Sequence, residues 1–293
     1  MKNGKLFNIF IGVVVLFVSS ACILPFVLLF ISSITDENTI IQYGYSFFPH
    51  KLSLAAYGYI MTHASNIFRA YGITVFITAV GTAVSLIITS MLAYPLSRKD
   101  LPGNKVFTFL VFFTVLFSGG LVPAYLVYTH LINVKNSLLG LIVPMLLMNG
   151  FYVLIMRTFF SSIPKSLIES ANLDGAGELR IFASIIIPLS LPVMATVGLF
   201  VCINYWNDWF NGMIFLTDSK LYSIQNYLNR ILLDIDFLNK NNVSSSQAEI
   251  LARIPKETVR MALAVIGVVP ILIAYPFFQK YFAKGLTVGA IKG

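Results

Sequence analysis

Few side chains in this 293-residue chain could make or break bonds. His50, His63 and His130 are scattered and show no His-Glu-x-x-His or related metal spacing. Cys22 and Cys202 are too few for a disulfide scaffold or a thiolate cluster. No Gly-x-x-x-x-Gly-Lys-Ser/Thr phosphate loop occurs, so the chain carries no ATP site of its own and no catalytic, cofactor or metal residue is expected. Three polar groupings remain. Thr74, Thr78, Thr82, Ser85 and Thr89 recur at steps of 4, 4, 3 and 4, which places them on one helical face. Such hydroxyls either bond back to their own helix or line a helix seam or a solute path. Asn204, Tyr205, Trp206, Asn207, Asp208, Trp209, Phe210 and Asn211 interleave amides with aromatic rings. That mixture suits an interfacial aromatic belt, or a sugar whose apolar ring face stacks on an aromatic side chain while amides bond its hydroxyls. The third grouping, Ser162 to Arg180, is a short polar loop with an apolar helical face.

The elements that hold these residues follow from composition. The chain is 57% hydrophobic and only 11% charged, against about 25% charged in soluble domains, so it has too little polar surface to be a soluble enzyme. With 25 Phe and 14 Tyr it is no solvated coil either. A membrane crossing takes about 20 apolar residues. Six stretches free of Asp, Glu, Lys and Arg reach that length: 6–35, 70–97, 106–134, 136–156, 181–207 and 261–279. The expected fold is all-α, a polytopic membrane helix bundle with six transmembrane helices in a single domain, 1–293. The spans are placed at about 7–33, 71–97, 106–128, 136–157, 182–207 and 261–279. The third stretch is interrupted by Ser118-Gly119-Gly120 and Pro123, so its helix should end near Phe117 and an outer segment continue to about Val134. Asn149-Gly150 breaks the fourth, and Pro188 and Pro192 sit early in the fifth.

Lys2 and Lys5 before an apolar run, with Ser20-Ala21-Cys22, resemble a lipoprotein signal, but the run continues past Cys22 to Ile31. With the N-terminus inside, inner segments carry 11 Lys/Arg and outer segments 9 over a longer length, giving net charges of +7 and +1. The basic balance therefore reflects topology and needs no nucleic acid. Both termini are expected in the cytoplasm of a bacterial cell, with the chain multi-pass in its membrane. The loop 158–181 and the tail 280–293 are then cytoplasmic, and the loop 208–260, with six acidic and six basic residues, is external. The tail, with a Gly every few residues, is expected to be irregular and strand-like. No span holds a formal charge, which speaks against a stand-alone secondary transporter driven by protons. His50, His63 and His130 fall at span edges or outside, which speaks against an intramembrane enzyme.

In the 158–181 loop, Ser162 and Pro164 can open a helix. Gly175 sits just past its end, where a left-handed residue is wanted. A second helix should start near Gly177 and run into the fifth span. The loop resembles the signature loop of permease subunits of binding-protein-dependent ATP-binding-cassette importers: Glu-Ala-Ala, three residues, Gly, nine residues, Ile-x-Leu-Pro. Here it reads Glu169-Ser170-Ala171, then Gly175, then Ile185-Ile186-Ile187-Pro188, with Ser170 and Ile187 as the two departures. Asp174-Gly175-Ala176, Trp206-Asn207 and the tail from Gln279 to Gly293 resemble the carbohydrate-uptake branch, in particular the maltose-type "G" subunit. Subunits serving complex oligosaccharides, some of them acidic, look most similar.

The resemblance implies a type I importer permease fold and an ATPase-coupling element at Glu169, Ser170, Ala171, Asp174, Gly175 and Ala176. Its implied partners are a second homologous permease in a heterodimer, two ATPase subunits that bind ATP and Mg, and an extracellular substrate-binding protein, with no nucleic acid. The cargo would be a sugar or oligosaccharide, with peptides or amino acids as the alternative within the same architecture. Residues that could face the substrate are Thr78, Thr82, Ser85, Asn149, Asn204, Trp206 and Asn207.

Overall fold

The computed structural model describes residues 3–62, 64–240 and 255–290. Met1, Lys2, His63, residues 241–254 and the last three residues lie outside the described residues. In chain order the helices are α1 (Asn3–Ser33), α2 (Glu37–Tyr43), α3 (Ala55–Met61), α4 (Ala64–Ser97), α5 (Asn104–Leu116), α6 (Leu121–Leu126), α7 (Leu139–Ile142) and α8 (Gly150–Ser161). They are followed by α9 (Lys165–Leu173), α10 (Glu178–Ile181), α11 (Ile187–Leu189), α12 (Leu191–Asn207), α13 (Phe210–Phe215), α14 (Ile224–Lys240) and α15 (Lys256–Ala290). Among the described residues β structure is limited to one isolated bridge, Thr35 with Leu52. The all-α expectation holds.

The chain divides into two compact units. One comprises residues up to Ile67 together with Leu228–Ile273. Its α1 is apolar on every side and exposed from Phe7 to Val27, with Leu16 69% and Phe17 74% open. An all-round apolar helix left uncovered belongs in a membrane. Beyond α1, the segment 34–54 folds back on itself. Asp36 N–H donates to the Lys51 carbonyl at 3.0 Å and Ser53 N–H to the Ile34 carbonyl at 2.9 Å. The Glu37 carboxylate accepts the N–H groups of Glu257 and Thr258, each at 2.9 Å, and so caps the start of α15.

The other unit comprises Phe68–Tyr227 and the stretch from Ala274. Its main core joins Tyr94 and Leu96 of α4, Val153, Met156 and Phe160 of α8, and Val193, Val197 and Tyr205 of α12. Small residues let these helices meet. A Cβ on Gly81 would overlap the Tyr205 ring, and one on Gly150 would lie 2.8 Å from Thr114 Oγ1 of α5.

Among the described residues two helices are each long and apolar enough to cross a membrane, Phe7–Ser33 and Ala64–Ser97. Two further spans result if each of two bent pairs counts as one: Asn104–Leu116 with Leu121–Leu131, bent by 112°, and Glu178–Leu189 with Leu191–Asn207, bent by 81°. Among the described residues two to four spans are thus identified and six are not confirmed; the breaks in the third, fourth and fifth stretches have local causes. The third stretch breaks as its Gly pair predicts, with α5 ending at Leu116 and Gly120 at φ +87°. In the fourth, Pro144, a left-handed Met145 at φ +62° and the capping Asn149 split the stretch into the short Leu139–Ile142 and the longer Gly150–Ser161 helices. The fifth does not run straight from the Gly177 turn, because the chain bends at Ser190 between Pro188 and Pro192. The tail is also not strand-like: the α15 backbone stays helical to Ala290. Gly in a helix costs only about 1 kcal/mol each, too little for Gly285 and Gly289 to end it.

Candidate functional site

The loop at 158–181 is built around one turn. Helix α9 ends at Leu173, Asp174 is its C-cap, and Gly175 follows at φ +78°. Gly175 N–H donates to the Asn172 carbonyl at 3.0 Å, and Ala176 N–H to the Ala171 carbonyl at 2.9 Å. These two bonds are the Schellman pair that satisfies the last carbonyls of a helix, and they require a left-handed residue at Gly175. Ile168, Ala171 and Ala176 pack into the core alongside Phe160 and Ile163. The opposite face is open: Glu169, Ser170, Asp174 and Gly175 are exposed, and so are Leu167, Leu173 at 90% and Leu179 at 76%. Three large apolar side chains left in solvent around a rigid turn mark a contact surface. Leu173 and Leu179 were not identifiable from sequence, because periodicity alone does not tell an outward Leu from a core one. Along α9, Ile168 and Ala171 turn inward while Leu167 points out.

A polar cluster ties this turn to the end of α4. Tyr94 Oη donates to Glu178 Oε2 at 2.6 Å, and Arg98 Nη1 lies 3.4 Å from the same oxygen. Arg98 Nε and Nη2 donate to the two Asp100 carboxylate oxygens at 3.0 and 2.7 Å. That bidentate pair holds the Asp100 carboxyl down at about 2. The final carbonyls of α4 are satisfied from neighbouring helices: Asn104 Nδ2 donates to Leu96 and Arg98, and Arg157 Nε to Leu96 at 2.9 Å.

The hydroxyl stripe of α4 faces inward. Thr74 bonds back to Ala70 at 2.8 Å and also accepts the Ile224 N–H at 2.8 Å. Thr78, Ser85 and Thr89 are buried and make no such back-bond, which favours the helix-seam or path reading over simple self-capping for these three. Thr82 lies beside the Cys202 thiol of α12. Trp206 is half-buried with its ring 6.5 Å from Tyr71 of α4, about one turn before Thr74. Asn204 turns elsewhere: its Nδ2 donates to Tyr152 Oη at 3.0 Å, and Tyr152 stacks on Phe200. Asn207, the exposed last residue of α12, and Asn149, whose side chain accepts the Phe151 N–H at 2.9 Å as the cap of α8, do not join either group. Just beyond α12, burial pushes the Asp208 carboxyl up, partly offset by the Asn211 N–H it accepts at 3.2 Å.

The family profile described as "Binding-protein-dependent transport system inner membrane component" matches residues 1–288. The chain belongs to that family. It is 38% identical to the polygalacturonan/rhamnogalacturonan transport system permease protein YtcP of Bacillus subtilis (strain 168), with all of both chains covered. It is 26% identical, again over the full length of both chains, to the trehalose/maltose transport system permease protein MalG of Thermococcus litoralis. A crystal structure of a bacterial ABC transporter involved in the import of the acidic polysaccharide alginate contains a chain 30% identical, superposing with a TM-score of 0.80 and covering 96% of this chain and 98% of that one. The permease is thus an inner-membrane component of an ABC importer with the type I permease fold, and its class implies ATPase and substrate-binding partners. Within the permease, the Schellman turn at Gly175 is the part of the signature that the sequence located residue by residue, and the Tyr94–Arg98–Glu178 cluster is the part it did not show.

Proposed function

We propose that this permease moves an acidic oligosaccharide inward, delivered by an external binding protein and driven by ATP hydrolysed on two partner ATPase subunits with Mg. The observation that carries the substrate class is full-length similarity to two systems whose names specify uronic-acid or acidic polymers, polygalacturonan/rhamnogalacturonan and alginate. The permease works as one transmembrane domain of six spans, two of them bent, paired with a second homologous permease and with both termini in the cytoplasm. Glu169, Ser170, Ala171, Asp174, Gly175 and Ala176 form the ATPase-coupling element. The geometry that supports this is a rigid glycine turn with one face anchored in the core and exposed Leu173 and Leu179 beside it. Thr78, Thr82, Ser85 and Trp206 face the substrate path from the α4–α12 side, and Asn149, Asn204 and Asn207 contribute from the outer end. The long external loop, whose α14 starts with Ile224 and Leu228 buried, receives the binding protein.

Uptake of a fluorescently labelled galacturonic acid trimer by the native host tests the reading. Uptake that is lost on deleting this chain, and is competed by unlabelled acidic but not neutral trisaccharide, is the expected result. Uptake unaffected by the deletion would remove the acidic-sugar assignment. Loss of peptide uptake in the same deletion would move the cargo to peptides.

A further inference from the structure

The turn that ends α9 touches the rest of its unit in two different ways. Ile168, Ala171 and Ala176 rest on apolar side chains, a contact without direction that allows sliding. Glu178 is different. Only Ala176 and Gly177 separate it from Gly175, and Gly177 accepts the N–H groups of Arg180 and Ile181 at 2.9 and 3.0 Å, so the step from turn to α10 is stiff. The Glu178 carboxylate is then held from α4 by Tyr94, which is buried, and by Arg98. Arg98 is itself fixed, because Asp100 takes its Nε and Nη2 and the planar guanidinium leaves Nη1 aimed at Glu178 and, at 3.3 Å, at Tyr94 Oη. Cavities of about 380 and 420 Å³ flank the cluster, one lined by Met91, Pro95, Leu179 and Phe182, the other by Lys99, Phe160, Lys165 and Asn172, and both reach Arg98 and Asp100. The polar cluster therefore sits between two open spaces and joins the turn to the end of α4 by directed bonds, beside the Tyr94–Phe182 ring contact at 5.3 Å.

We infer that Glu178, gripped by Tyr94 and Arg98, is the positioning residue that carries displacement of the 165–178 turn into α4, the helix bearing the Thr78–Thr82–Ser85 stripe. The inference rests on the coupling role proposed for the turn and adds the route by which a push at the turn arrives at the membrane. Breaking the link leaves the turn docked and α4 unresponsive.

The test is hydrogen–deuterium exchange on the complete complex purified from its host into nanodiscs, with and without a non-hydrolysable ATP analogue. In the wild type, nucleotide is expected to alter exchange in peptides spanning 165–178 and also 86–98. Glu178→Gln and Tyr94→Phe keep the response at 165–178 and weaken that at 86–98 by about 2- to 30-fold, the range for a residue lying on a coupling route. Arg98→Lys retains more of the response than Arg98→Gln. A purely structural role would raise exchange at 86–98 equally in both nucleotide states and leave the difference unchanged. An unaltered nucleotide response at 86–98 in Glu178→Gln and Tyr94→Phe overturns the inference. No response at 165–178 in the wild type itself overturns the coupling role on which it rests, so the two failures are distinct.

Discussion

Ala176 donates its backbone N–H to the carbonyl of Ala171 at 2.9 Å, across a Gly175 held at φ +78°. No atom lies within 4 Å of where a Gly175 Cβ would sit, so a substitution there is limited by backbone conformation and not by space. Gly175→Ala therefore costs about 1–2 kcal/mol of local turn stability, and Gly175→Pro, whose φ is locked near −65°, cannot form the turn at all. The proline variant is expected to insert and co-purify with its permease partner while sugar transported per ATP hydrolysed collapses. Wild-type uptake by that variant would end the coupling assignment.

Gly81 lies against the Tyr205 ring, whose Oη donates to the Ile142 carbonyl at 2.8 Å. Gly81→Ala forces that ring aside and is expected to destabilise the α4–α12 seam by about 1–3 kcal/mol. Gly72, on the same helix, has open space at its Cβ, and Gly72→Ala should be neutral or stabilising by up to about 1 kcal/mol. Thermal unfolding of the two variants in one detergent compares them directly. Equal melting points would show that the close approach carries no packing constraint.

Glu37 supplies three bonds to the start of α15: from Glu257 N–H, from Thr258 N–H and, at 2.8 Å, from the Thr258 hydroxyl. Removing them by Glu37→Ala leaves helix-start donors uncapped, at a cost of about 1–3 kcal/mol. Amide exchange at residues 257–259 should accelerate while exchange in α9 stays as it was. Unchanged protection at 257–259 would mean that the cap is redundant.

The Asp100 carboxyl is held at about 2, chiefly by its hydrogen bonds from Arg98. A carboxyl depressed on folding contributes stability above its ordinary value near 3.9, and that contribution is lost as pH falls toward about 2. Asp100 is mostly exposed, so solvent screening keeps the effect small. The stability difference between wild type and Asp100→Asn should be present at pH 6 and shrink steadily below pH 4. A difference that does not change with pH would assign the effect to something other than this ion pair.

Much of the candidate site was legible because its signal is local. Gly175 was placed past a helix end from its neighbours alone, and the left-handed turn needs nothing else. The break near Phe117 followed from Ser118-Gly119-Gly120 in the same way. The fourth and fifth stretches misled because an uncharged run reports only that residues can enter lipid, not that one helix carries them. Met145 turning left-handed and the 81° bend at Ser190 are invisible to a count of charges. Asn149 reads from sequence as a polar contact for a solute, and the structure adds a second role, the cap of α8, since an amide beside a glycine serves either purpose.

What the sequence by itself determined is the membrane class, the helical fold and the glycine turn, because composition, apolar run length and backbone φ preference act over a few neighbouring residues. Only the tertiary structure decided which side of each helix is used. It turned Thr78, Ser85 and Thr89 inward and Leu173 and Leu179 outward, and it brought Glu178 to Tyr94 across 84 positions of chain. Such meetings depend on how whole helices pack, and packing is settled by close approaches such as Gly81 against Tyr205 that no local pattern encodes.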